Sequence, residues 1–275
     1  MLEIFRAEIE VAHFGDEELA FATPFWKITD QQNVEIFDGK FDTLNIPIGN
    51  CLPIGKLELD LGKISGPKQL TLTVNLKGFE NDWDFWVYPN QQANDMKVHL
   101  TNKLDQKSIS LLGNGGSVLW SIPKNTKSKN LNDGIGFSSI FWNTAWTKGQ
   151  KPHTLGILCN PNHPAFRQFP TEYHSNWQWW DAMSYSNAII IDDLPNNVQP
   201  ILRVIDDWFE NRSQALVFEV KVGNGKLLIS GVDFFKDIEK RIAGKQLLLS
   251  LQEYMTGNSF DPKVELTIEE LNDFL

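Results

Sequence analysis

The hydrophobic pattern of this chain changes part-way along its length, and that change limits the folds open to it. Before about residue 90, apolar and polar residues alternate. The runs are Glu8-Ile9-Glu10-Val11-Ala12-His13-Phe14, Gly55-Lys56-Leu57-Glu58-Leu59-Asp60-Leu61 and Gln69-Leu70-Thr71-Leu72-Thr73-Val74-Asn75-Leu76. Successive side chains of a strand point to opposite faces, so alternation of this kind marks half-buried β-strands. Phe25-Trp26-Lys27-Ile28 and Asp84-Phe85-Trp86-Val87-Tyr88 add two more candidates, the second stopped by Pro89, with turns at Asp38-Gly39 and Gly66-Pro67. Short strands at this spacing, with no helical pattern between them, predict an immunoglobulin-like antiparallel β-sandwich over residues 1–90.

After Pro89 the strands become apolar on both faces and helical spacing appears. Thr154-Leu155-Gly156-Ile157-Leu158-Cys159 and Ala188-Ile189-Ile190-Ile191-Asp192 read as buried central strands, and Ser117 to Ile122 as another, ending at Pro123. Asp105 can cap a helix through Leu112, which Gly113-Asn114-Gly115-Gly116 ends. Such alternation predicts a parallel sheet with helices on its faces. Gly223-Asn224-Gly225 between two strand-like runs is a hairpin signal, which gives the sheet an antiparallel edge. Ile238 to Met255 has helical spacing up to Gly257, and Thr267 with Glu270 forms a capping box for a last short helix. The expected division is therefore 1–90, 91–256 and a tail, 257–275, with the boundary near Asn90 to Asn94.

Composition narrows the function classes. The net charge is −10 over 275 residues, with no Lys/Arg-rich run, so neither a nucleic acid nor an anionic membrane surface is an expected partner. No apolar run approaches the ~20 residues of a membrane helix. Met1 to Arg6 lacks the basic and apolar regions of a secretory signal. The chain opens directly in a strand-like pattern, which suggests a piece of a longer protein. Cys51 and Cys159 form no recognisable disulfide or zinc pattern. His13, His99, His153, His163 and His174 show no metal-ligand spacing, and no cofactor is expected.

One stretch concentrates chemistry: Phe169-Pro170-Thr171-Glu172-Tyr173-His174-Ser175-Asn176-Trp177-Gln178-Trp179-Trp180-Asp181. Three of the ten Trp fall in four positions, among Glu, His, Asn, Gln and Asp. Indole is costly to leave in water, so the cluster is either core or a binding face. If a binding face, it is a carbohydrate platform: Trp177, Trp179 and Trp180 stack on sugar C–H faces, and His174, Glu172 and Asp181 meet the hydroxyls. On a helix Trp177 shares a face with Trp180 or Asp181, while Trp179 points elsewhere. Cys159, at the end of a buried strand, occupies the place of an α/β nucleophile. Yet Asn160-Pro161 follows it, and proline has no N–H to offer an oxyanion hole. A Cys159, His174 and Glu172 set is the alternative basis for an independent hydrolase or amidotransferase. Asp192-Asp193 and Asp206-Asp207 lie beside strand ends, where capping is the usual duty.

The segment Leu155 to Phe166 followed by Phe169 to Asp181 resembles the C-terminal region of large bacterial glycoside hydrolase family 2 proteins of β-galactosidase-like type. So do Val204-Ile205-Asp206-Asp207-Trp208 with Asn211-Arg212, and Leu216 to Leu228. The stretch ending Asn81-Asp82-Trp83-Asp84-Phe85-Trp86-Val87-Tyr88-Pro89 is similar to the immunoglobulin-like sandwich that precedes this region. The later part resembles a flavodoxin-like, class I glutamine-amidotransferase-like fold of three α/β/α layers. The resemblance places the catalytic glutamates in an upstream (β/α)₈ barrel, one of them following Asn. This sequence holds no Asn-Glu dipeptide and no room for the barrel, so no catalytic residue carries over. It implies a non-catalytic accessory region in glycan degradation, whose partner is carbohydrate or the upstream barrel, in a periplasmic or secreted parent protein.

Overall fold

The structure, a computed structural model, describes residues 4–89, 98–136, 154–195 and 197–275. His153 and the expected boundary at Asn90 to Asn94 lie outside the described residues. The chain divides into two compact units, Met1–Gln91 and Gln92–Leu275.

The first unit is all β. It comprises β1 (Ile4–His13), β2 (Leu19–Ala22), β3 (Phe25–Asp30), β4 (Glu35–Lys40), β5 (Leu44–Ile46), β6 (Gly49–Asp60), β7 (Lys68–Leu76) and β8 (Phe79–Val87). β1 pairs with β6, β2 with β5, and the other four form a sheet in the order β4-β3-β7-β8, all antiparallel. Alternation sends Ile9, Ile28, Ile54, Leu57, Leu70 and Leu72 inward, and with Ala22, Ile46 and Val87 they make one core shared by the three sheets. Burying side chains of this size contributes about 1.5–3 kcal/mol each before ordering costs.

The second unit contains β9 (His99–Thr101), α1 (Gln106–Gly113), β10 (Ser117–Ser121), β11 (Leu131–Asn132), β12 (Thr154–Cys159), α2 (Trp179–Ser184) and β13 (Ala188–Ile190). Then come β14 (Pro200–Asp206), β15 (Gln214–Val222), β16 (Gly225–Ser230), α3 (Ile242–Thr256) and α4 (Ile268–Phe274). Asp105 caps α1, its carboxylate accepting from the Ser108 amide. Thr267 and Glu270 close a reciprocal capping box on α4.

These strands form one mixed sheet, and here the expectation of a parallel sheet is corrected. Only β9, β10 and β16 are mutually parallel. β16 turns back into β15 as an antiparallel hairpin, and β15 pairs antiparallel with both β13 and β14. β12 is not central: it pairs with β14 alone among the named strands, antiparallel. An apolar run records burial on both faces and is silent on direction, which is why β12 and β13 read as parallel. The architecture that stands is an all-β unit followed by a mixed α/β unit.

Helices cover both faces of the mixed sheet. Phe218 packs in a core with Trp120, Leu271 and Phe274, on the α4 side. Its neighbour Glu219 accepts a hydrogen bond from Tyr254 of α3 (2.7 Å), and adjacent strand residues face opposite ways. Residues 257–275, expected as a tail, supply Phe260, Leu266, Leu271 and Phe274 to the buried interior.

Where β16 ends, backbone passes against backbone. Gly231 donates to the Leu216 carbonyl (2.8 Å) and accepts from the Asn187 amide (2.9 Å), and a Cβ at 231 would collide with the Asn187 carbonyl. Gly231→Ala is expected to lower stability by about 1–3 kcal/mol through overpacking. Urea unfolding followed by circular dichroism measures it, and an unchanged midpoint would show that this crossing yields freely.

Candidate functional site

The Trp-rich stretch is positioned by β12. After Cys159 the chain makes a short 3₁₀ turn at Pro164–Phe166 and returns alongside the strand it left. The Cys159 amide donates to the Tyr173 carbonyl (2.9 Å), and Leu158 bridges antiparallel to His174. Close approach is possible because residue 156 is glycine: its φ is +119°, and the Ser175 hydroxyl fills the space a Cβ would need.

The three tryptophans then separate. Trp179 is 0% exposed, edge-on to Phe169 (4.9 Å) and Phe166 (6.1 Å), and its indole N–H donates to the Thr171 hydroxyl (2.8 Å). Trp177 and Trp180 are 80% and 56% exposed, with ring centroids 6.3 Å apart and planes tilted by 54°. The turn joining them is tight, the Trp180 amide donating to the Trp177 carbonyl (3.2 Å). The spacing reading thus has a definite outcome, and Trp179 leaves the candidate platform: its ring is core.

The expected polar partners divide too. His174 is exposed, with Nδ1 3.2 Å from the Ser175 carbonyl. The Glu172 carboxylate accepts from the Asn176 side-chain amide, Nδ2 (2.7 Å). Asp181 is corrected: it faces inward, accepting from Arg241 Nε (2.8 Å) and from the Gly244 amide at the start of α3 (2.6 Å). Its task is to hold α2 to α3. The other flagged carboxylates are also occupied. Asp206 takes a two-pronged bond from Arg212, Asp207 accepts from the Phe209 and Glu210 amides, and Asp192 from that of Ser213.

Cys159 is buried and donates to the Glu172 carbonyl (3.2 Å), and burial pushes its thiol up to about 11. A nucleophile needs thiolate and a base at hydrogen-bond distance. Among the described residues no histidine nitrogen bonds the Cys159 sulfur, so Cys159, His174 and Glu172 do not form a relay. No three His, Cys, Asp or Glu side chains come together as metal ligands among the described residues.

A second concavity went unread in the sequence. A cavity of about 550 Å³ opens beside β12, β14 and β15, lined by Asn160, His163, Tyr173, Arg203 and Glu219 together with Cys159. Burial raises Glu219 above the ordinary carboxylate range and lowers His163. The available signal was Glu219 itself, a carboxylate within the apolar run Ala215-Leu216-Val217-Phe218-Glu219-Val220.

With this geometry in place, comparison with known proteins decides the affiliation. Residues 99–275 match the family described as Domain of unknown function (DUF8487). The chain belongs to the DUF8487 family. Ahead of the DUF8487 region, residues 3–89 match Domain of unknown function (DUF8488). No curated protein matches this DUF8487 chain. Among solved structures, the crystal structure of Parabacteroides merdae β-glucuronidase is similar over 42% of this chain and 19% of that one, at 9% identity and a TM-score of 0.21. The similarity thus spans about a fifth of that enzyme's length.

Two measurements check the site geometry. Trp179→Ala is expected to cost about 3–5 kcal/mol of stability, whereas Trp177→Ala costs within about 0.5 kcal/mol, as for ordinary surface changes. Equal losses in denaturant titrations would contradict the separation of the rings. The thiols should differ as well. With its thiol near 11, Cys159 is about one part in a thousand thiolate at pH 8. A chromogenic disulfide reagent should titrate the exposed Cys51 quickly, and Cys159 only with denaturant. Two thiols reacting at once in the native protein would be the contrary result.

Proposed function

We propose that this chain is a non-catalytic accessory region of a glycan-degrading, family 2 glycoside hydrolase-like protein, and that Trp177 and Trp180 form its carbohydrate-stacking face. The observation that carries the reading is the outward display of two adjacent indoles on a stretch whose third indole is locked in the core. Exposed tryptophans cost solvation free energy, and a tilted pair is suited to a chain of sugar rings, whose C–H faces stack on π-surfaces. The exposed imidazole of His174 supplies a polar neighbour for hydroxyls. The motif resemblance around Leu155 to Asp181 supports the glycoside hydrolase affiliation, with an upstream barrel as the parent protein's catalytic part. A flavodoxin-like or amidotransferase-like fold relationship for the second unit, and an immunoglobulin-like one for the first, belong to the same proposal. An independent role for Cys159 draws no support from a thiol held neutral by burial.

A glycan array followed by titration calorimetry on the full chain tests the platform. Trp177→Ala and Trp180→Ala should each weaken oligosaccharide binding about tenfold or more, since one stacked aromatic contributes on the order of 1–2 kcal/mol. Binding that survives both substitutions, or no binding to any glycan, would remove the platform.

A further inference from the structure

We infer that the cavity beside β12, β14 and β15 is a second saccharide site, large enough to admit a sugar ring and separate from the indole face. Several polar groups with unspent hydrogen-bonding capacity converge on it. Asn160 uses its side-chain oxygen to accept from the Asn162 amide (3.0 Å), which leaves its amide nitrogen to donate. His163 accepts the Ala165 amide at Nδ1 (3.2 Å), so the neutral imidazole carries its proton on Nε2, and burial favours the neutral form. Glu219 takes the Tyr254 hydroxyl on Oε2 (2.7 Å), and Oε1 remains open. Among the described residues the Arg203 guanidinium and the Tyr173 hydroxyl bond no protein group. Asn160, His163, Tyr173, Arg203 and Glu219 all line the cavity of about 550 Å³.

The chemistry of this set selects the ligand. Donors and an acceptor are interleaved, and the one cation and the one carboxylate do not pair with each other among the described residues. A bound ligand must therefore accept at Arg203, Asn160 and His163 and donate at Glu219. Vicinal hydroxyls do both, since each is donor and acceptor at once. The volume lies within the range of ordinary small-molecule sites, and the exposed Tyr173 ring offers a flat apolar wall. Tyr173 and Trp177 belong to one stretch, so a glycan on the indoles and a sugar end in the cavity would engage opposite ends of the same segment. The ligand class rests on the glycan reading above; the location rests on the cavity alone.

The test uses the full chain, with galactose, glucose, mannose and N-acetylglucosamine as probes, in calorimetry and ligand-observed NMR, and with glycine as a zwitterionic control. Arg203→Ala and Glu219→Gln should weaken monosaccharide binding about tenfold or more, as lost hydrogen bonds to charged groups do. Tyr173→Phe, which removes only a hydroxyl, checks the same site with minimal risk to folding, and circular dichroism melts confirm that each variant is folded. The inference is overturned if folded wild-type protein binds no monosaccharide, or if Arg203→Ala and Glu219→Gln bind as wild type does. Loss of monosaccharide binding in Trp177→Ala would move the site to the indole face. Glycine binding that depends on Arg203 and Glu219, in place of sugars, would overturn the ligand class. Oligosaccharide binding that depends on Trp177, without any monosaccharide binding, would sink the cavity site and leave the platform standing.

Discussion

The burial of the Trp179 indole is the constraint on which the second unit's surface chemistry depends. Its edge-on contacts with Phe166 and Phe169, and its hydrogen bond to Thr171, tie residues 164–180 into one packed knot. Aromatic pairs in this arrangement contribute about 0.5–1.5 kcal/mol beyond their buried area. A ring locked at position 179 leaves its neighbours little choice. Trp177 and Trp180, at three-residue spacing, fall on the outer side, and Tyr173 is delivered to the rim of the cavity. The knot is also why β12, an edge strand in sheet terms, does not end in open backbone: the returning chain pairs with it at Leu158 and Cys159.

A second device secures the knot from behind. Arg241 is a buried cation, and burying a charge is unfavourable unless it is paired and hydrogen-bonded. Asp181 takes its Nε, the Asp233 and Lys236 carbonyls take Nη1, and the guanidinium lies 4.0 Å over the Tyr185 ring. Nη2 has no hydrogen-bond partner among the described residues. The pair acts as a fixed point between α2 and α3. An aspartate that a sequence reader would offer to a sugar is committed to holding the frame.

What could be read without coordinates was local. The alternating runs of the first unit, the Gly223-Asn224-Gly225 hairpin, the Asp105 cap and the Thr267–Glu270 box each depend on residues a few positions apart, and each formed as its spacing indicates. Strand direction was not legible, because Ala188 to Ile190 is equally apolar in a parallel or an antiparallel sheet. Helical spacing separated Trp179 from Trp177 and Trp180, but not which side was the interior. That was decided by Phe166 and Phe169, which the 3₁₀ turn after β12 brings against the Trp179 ring. The cavity depends on three strands and the loop after β12 meeting, and Glu219 reaches Tyr254 across 35 positions of sequence.

The position of α4 has a kinetic consequence. Leu271 and Phe274 stand in the same core as Val118, Trp120 and Phe218, and the Phe274 carbonyl accepts the side-chain amide of Asn130. A ribosome releases the chain from its N-terminal end, and units fold as they emerge. The first unit can close its core once residue 87 is clear. The second cannot, because the final pieces of its interior are the last of that unit to be made. Its apolar sheet face therefore stays open through most of its own synthesis, the interval in which such a surface is most vulnerable to aggregation. Anything that stalls translation between Ser230 and Leu271 leaves a sheet already assembled and one side of it bare.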